Sequence, residues 1–173
     1  MSGEPRSEAG FDERNLVKET AKRRNAHFVN KASNSPLSKN YEEVGVWGEW
    51  EFGKFCGLMP RLQAGGDGGY DFMLPLYMKV DVKTSTKGEF LYVEQGRVKA
   101  DIYVLAKCEE KEQWTGDKET STSFTTTLLG WELASVVMSY APSVSPRCIV
   151  NHSVPVEKLR PMEELKKFLS QRR

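Results

Sequence analysis

Two carboxylates and an amine are spaced in this chain as metal-assisted phosphodiester hydrolysis requires. They are Asp71, Asp81 and Lys83, within Tyr70-Asp-Phe-Met-Leu and Met78-Lys-Val-Asp-Val-Lys-Thr. Both runs have strand composition, and Pro75-Leu76 between them fits a tight turn, although not of the favoured Asn-Gly type. The expected element is a β-hairpin. Side chains on a strand alternate, so Asp81 and Lys83 share one face while Val80 and Val82 share the other. Closure of the hairpin brings Asp71 towards the same spot. Two carboxylates ~4 Å apart repel by roughly 4 kcal/mol at an effective dielectric of about 20, so such a pair needs a proton or a cation. Oxygen donors suit Mg²⁺, with Mn²⁺ as a substitute; the ion polarises a phosphoryl oxygen and acidifies a bound water. A neighbouring lysine can orient or deprotonate that water, or offset charge on the phosphorane. The residues alone do not choose among these roles.

Two elements must position this group. Before the hairpin lies a loop with four glycines, Gly65, Gly66, Gly68 and Gly69. Before the loop, Val44, Trp47, Phe52, Phe55, Leu58 and Met59 recur at three and four, predicting a helix over 41–58 that Gly57 and Pro60 end. Gly45, Gly48 and Gly53 weaken this helix by about 1 kcal/mol each relative to alanine, which points to a close backbone approach. Two glutamates on it compete for a chemical role. Glu51 falls nearer the centre of the apolar stripe and Glu49 lies at its edge.

Acid, hairpin-length gap, acid-x-Lys and the preceding glycine loop together resemble the PD-(D/E)XK nucleases, the restriction-endonuclease-like superfamily. Asp71 matches the first acid and Asp81-Val82-Lys83 the second part, while the proline that can precede the first acid is missing. Gly45-Val-Trp-Gly-Glu-Trp-Glu-Phe is similar to the Gly-Glu helix before the hairpin in that family, which favours Glu49 over Glu51. The glycine loop, and the strand-Gly130-Trp131-helix order, resemble small phage and bacterial members. The resemblance covers about 41–131. It implies an α/β fold with a mixed central sheet of about five strands flanked by helices. It also implies a Mg²⁺-dependent DNA nuclease, with Glu49, Asp71, Asp81 and Lys83 catalytic. Asp71, Asp81, Glu49 and the Val82 carbonyl would serve the metal. A nuclease relative that binds nucleic acid or protein without cutting is the alternative. A chance motif in an unrelated α/β protein, with Asp81 and Lys83 a surface ion pair, is the third reading.

The rest of the chain sets bounds. Its 173 residues suit one domain able to bury a core. Formal net charge is +1, so any nucleic-acid surface must be a local patch. Cys56, Cys108 and Cys148 lack paired spacing, and His27 and His152 lack metal spacing, which leaves zinc sites and Ser-His or Cys-His catalysis without support. The N-terminus is polar and no apolar run spans a bilayer, so a cytoplasmic protein is expected. Residues 1–40 read as an arm, disordered over 1–10, helical from Phe11 to about Val29, and loop over 30–40. Lys22, Arg23 and Arg24 on that helix fit a solvated face and also an arm gripping phosphates. Residues 41–173 read as the nuclease domain. Asp101 is expected to be a hydrogen-bond acceptor, Gln95 a turn residue and Trp131 core. Residues 142–155 are expected to be irregular, with an amphipathic helix closing the chain through Leu159, Met162, Leu165 and Leu169. One such site cuts one strand, so a homodimer fits.

Overall fold

A computed structural model of the chain describes residues 12–28, 40–61, 68–116, 120–145 and 147–171. The expectations for residues 1–10 and for Gly65 and Gly66 fall outside these, as does nearly all of the 30–40 loop. Helix α1 is Glu13–Phe28 and α2 is Tyr41–Cys56. Helix α2 is apolar on two sides. Val46 and Trp50 pack with Val17 and Ala21 of α1, while Phe52 and Phe55 face the sheet. It stops where Gly57 turns left-handed (φ 68°), which lets the Leu58 N–H bond the Gly53 carbonyl at 2.8 Å.

The hairpin forms as expected: β1 (Phe72–Leu74) pairs antiparallel with β2 (Met78–Ser85), Phe72 opposite Val80. Strand β3 (Phe90–Glu94) then leaves this sheet, and β4 (Ile102–Trp114) returns parallel to β2, with Asp81 beside Tyr103. Strand β5 (Thr120–Leu133) runs back antiparallel along the whole of β4. The main sheet therefore has four strands, ordered β1-β2-β4-β5, rather than about five. The missing member is β3. It pairs instead with β7 (Val150–Pro155), which also carries the short β6 (Ser143–Val144), in a second sheet ordered β3-β7-β6. The stretch 142–155, expected to be irregular, supplies both of those partners. Helix α3 (Ala134–Ser139) begins only after Trp131, which belongs to β5, and α4 (Met162–Ser170) closes the chain.

The first half of β4, Ile102 to Ala106, is covered on both faces, which explains its unbroken apolar run, while 109–114 are exposed. Ile102, Val104 and Ala106 join Phe72, Leu74, Val80 and Val82 beneath Phe52 of α2 and Leu165 of α4. Tyr103 and Leu105 point the other way, into Leu91, Val93 and Val154 of the second sheet and Val137 of α3. The ring of Phe52 meets Phe72 edge-on at 5.0 Å, coupling α2 to the hairpin. Truncation of so buried a ring costs about 3–5 kcal/mol, a large share of a domain's net stability of ~5–15 kcal/mol. Among the described residues no helix is long and apolar enough to cross a membrane.

Candidate active site

Strand β1 pairs with only the first half of β2, and the candidate acids lie where that pairing stops. Asp71 immediately precedes β1. Its N–H donates to the Val80 carbonyl at 2.8 Å, and its Oδ2 accepts the Val82 N–H at 2.7 Å. Asp71 is thereby fixed against β2, capping a backbone donor that no strand among the described residues serves. The two groups of one residue in a strand point to the same side, so the Val82 carbonyl also faces this edge. With Val80 and Val82 in the core, Asp81 and Lys83 emerge on the opposite face. Lys83 Nζ lies 2.7 Å from Asp81 Oδ2, the lysine 42% exposed and the aspartate 13%. Burial alone would lower the pKa of this ammonium, but Asp81, by charge and hydrogen bond, outweighs it with help from Asp71 and Tyr103. The net shift is upward.

Glu49 is placed by a close helix–strand approach. At Gly48 an added Cβ would stand 1.9 Å from Thr84 Oγ1, so only glycine lets α2 sit this near β2. The Glu49 carboxylate, almost fully buried, is taken at both oxygens by Arg24 of α1, with Nη1 at 2.6 Å and Nη2 at 2.7 Å. Arg24 Nη2 also donates to the Arg61 carbonyl at 2.9 Å. The hydrogen bond to Glu49 raises the Arg24 pKa; burial opposes it, and the charges of Glu49, Asp71 and Glu42 add to it. The charge of Asp71 thus reaches both Arg24 and Lys83.

Three expectations bear on this geometry. The first is convergence of three carboxylates on one ion. Among the described residues no three His, Cys, Asp or Glu side chains gather closely enough to hold a metal. Asp71 and Asp81 are oxygen donors of the kind Mg²⁺ takes, and the Val82 carbonyl faces the edge that Asp71 caps. Glu49 faces Arg24 with both of its oxygens. The second concerns Lys22, Arg23 and Arg24 as one basic group. Lys22 pairs with Glu19 at 3.1 Å and Arg23 stays exposed, whereas Arg24 turns inward to Glu49. The third is the rivalry of the helix acids: Glu51 faces outward to Lys54 at 2.8 Å, leaving Glu49 the inward one.

Other singled-out residues have structural places. Asp101 accepts the Lys79 N–H at 2.8 Å and returns its own N–H to the Lys79 carbonyl at 2.9 Å. Gln95 lies in a turn with Gly96 at φ 82°. Trp131 is fully buried with its indole N–H on the Pro161 carbonyl, which removes it as a base-stacking group. His152 bonds the Tyr140 carbonyl at 2.7 Å.

One cluster escaped the sequence reading. Arg61 lies 4.7 Å over the Tyr70 ring and bonds its hydroxyl at 3.2 Å, and Lys79 Nζ lies 5.3 Å from the same ring. The Lys99 stem packs over Gly69, where a Cβ would come within 2.6 Å of it. These residues are scattered over 61–99, and no local spacing connects them. Comparison with known proteins finds no family model, curated protein or solved structure that matches the chain, so the site's geometry carries the functional reading alone.

Proposed function

We propose that the protein is a divalent-metal-dependent nuclease of the PD-(D/E)XK kind, hydrolysing phosphodiester bonds in DNA. The observation that carries the reading is Lys83. Its ammonium lies 2.7 Å from Asp81 and within the field of Asp71, at the edge of β2 that β1 leaves open. In this reading Asp71 and Asp81 hold Mg²⁺, with the Val82 carbonyl as a further oxygen donor. The ion, when bound, would supply Lewis acidity and an acidified water. Lys83, 2.7 Å from Asp81, would orient or deprotonate the attacking water, or offset charge growing on the phosphate. Glu49, buried and neutralised, positions Arg24 beside Asp71. Binding and electrostatic stabilisation of the scissile phosphate would carry most of the rate.

The test is incubation of the full chain with labelled duplex, nicked, branched and single-stranded DNA in Mg²⁺ or Mn²⁺. Cleavage should need the ion and vanish in Asp81→Asn and Lys83→Met. A protein that leaves every substrate uncut under both ions is not this nuclease. The Arg24 grip on Glu49 favours a second reading, a nuclease-fold module that docks nucleic acid or protein without cutting. Calorimetric titration separates the two: the nuclease binds Mn²⁺ through Asp71 and Asp81, and the module gives no heat. One such site cuts one strand, so a homodimer is proposed for cutting both strands of a duplex together, which sedimentation of the chain with DNA tests.

A further inference from the structure

The turn joining β1 to β2 breaks the local rules for such turns. Leu76 (φ 64°) and Tyr77 (φ 60°) are consecutive left-handed residues, where tight hairpins use Asn-Gly. Neither has the glycine or short polar side chain that makes this backbone easy. Both side chains project into solvent, Leu76 58% exposed and Tyr77 85% exposed, so burial gives no compensation. Strain without local return marks a segment shaped by something outside the chain.

The surroundings say what that something is. Tyr77 ends the turn just before β2, and along β2 Lys79 and Asp81 follow on one face, one two-residue step of about 6–7 Å apart. Lys79 and Arg61 lie over the Tyr70 ring, and the Lys99 stem packs against the adjoining Gly69. The Asp101 carboxylate is nearby but bonded to the Lys79 backbone N–H. From the tip inwards the hairpin therefore offers an exposed aromatic, a group of cations, then the acid pair. A polyanion with flat apolar bases matches that order. A protein partner would need a broader apolar surface than these two side chains.

We infer that Leu76 and Tyr77 form a wedge on which a nucleobase stacks, while Arg61, Lys79 and Lys99 hold the adjoining phosphates. The identity of this ligand rests on the nuclease reading; the strained, exposed tip does not. Stacking on an aromatic side chain is tolerant of base identity, so the wedge would place the strand without reading its sequence.

The test uses the full chain carrying Asp81→Asn, so that DNA survives, and oligonucleotides, single-stranded and duplex, containing 2-aminopurine. Anisotropy reads overall binding, and 2-aminopurine fluorescence reads the stacked base. Tyr77→Phe should behave as the parent. Tyr77→Ala and the Leu76→Gly/Tyr77→Gly double variant should abolish the fluorescence change and weaken binding roughly 5- to 150-fold. The double glycine variant should melt no lower than its parent, because it loses strain rather than contacts. A lower melting temperature overturns the strain argument. Parental affinity and fluorescence in Tyr77→Ala overturn the wedge. Cleavage by the unmodified chain is scored separately. Cleavage without any effect of Tyr77 sinks the wedge alone, and stacking without cleavage sinks the hydrolytic reading alone.

Discussion

Replacing Arg24 by methionine tests the electrostatic frame of the site most directly. The change keeps much of the apolar stem and removes the guanidinium that holds both Glu49 oxygens at 2.6 and 2.7 Å. Both partners are well shielded, 15% and 8% exposed, so the carboxylate stays in a poorly solvated place. Removing one member of a buried ion pair costs about 3–5 kcal/mol, against ~0–1 kcal/mol for a surface pair. Partial solvent access at Arg24 puts the expectation near the lower end, about 3 kcal/mol. For a chain of this size that lowers the melting temperature by roughly 6–12 °C. Replacing both residues, as Arg24→Met with Glu49→Leu, should recover much of the loss, because no charge is left buried. Urea denaturation of the four proteins in the cycle measures the coupling. A single variant within 1 kcal/mol of wild type, or losses that simply add in the double variant, would refute a pair that binds the two helices together. Mn²⁺ titration of Arg24→Met adds a second answer: tighter binding than wild type would make Glu49 a ligand restrained by Arg24.

Further expectations concern neighbouring groups. Gly48→Ala should destabilise by about 1–3 kcal/mol in urea unfolding, because its Cβ would drive into Thr84, although alanine is the better helix former. Gly45→Ala, with open space around its Cβ, should instead stabilise by roughly 0.4–1 kcal/mol. The raised Lys83 pKa gives a signed pH effect. Its contribution to stability is complete below the unfolded-state value of about 10.4 and is lost as pH rises through the higher folded value. Lys83→Met should therefore flatten the loss of stability in that alkaline window, as urea denaturation against pH would show. Asp81→Asn should end Mn²⁺-dependent cleavage while circular dichroism and melting show the fold retained.

The parts of the fold that could be read in advance are those written in short-range pattern. Residues three and four apart placed α2, and alternation around Val80 and Val82 placed the hairpin and the shared face of Asp81 and Lys83. Pairing of Phe90–Glu94 with Val150–Pro155 leaves no such trace, because the two runs lie some sixty residues apart and Asn151, His152 and Ser153 interrupt the apolar pattern. The inward turn of Arg24 was hidden for a related reason. Lys22, Arg23 and Arg24 look equivalent in sequence, and only α1 lying on α2 decides which of the three meets Glu49. The Arg61, Tyr70, Lys79 and Lys99 cluster likewise exists only once the chain has closed.

The shortness of β1 has a consequence for how the molecule behaves in a crowded solution. Past Val80, β2 presents amides and carbonyls on that side with no neighbouring strand among the described residues, the kind of margin on which a foreign strand can polymerise. Asp71 blunts this margin by occupying the Val82 amide with a negative charge. An acid held there for chemistry would then also act as a gatekeeper against self-association. Loss of its carboxylate would show as turbidity or aggregation during refolding, independently of any substrate.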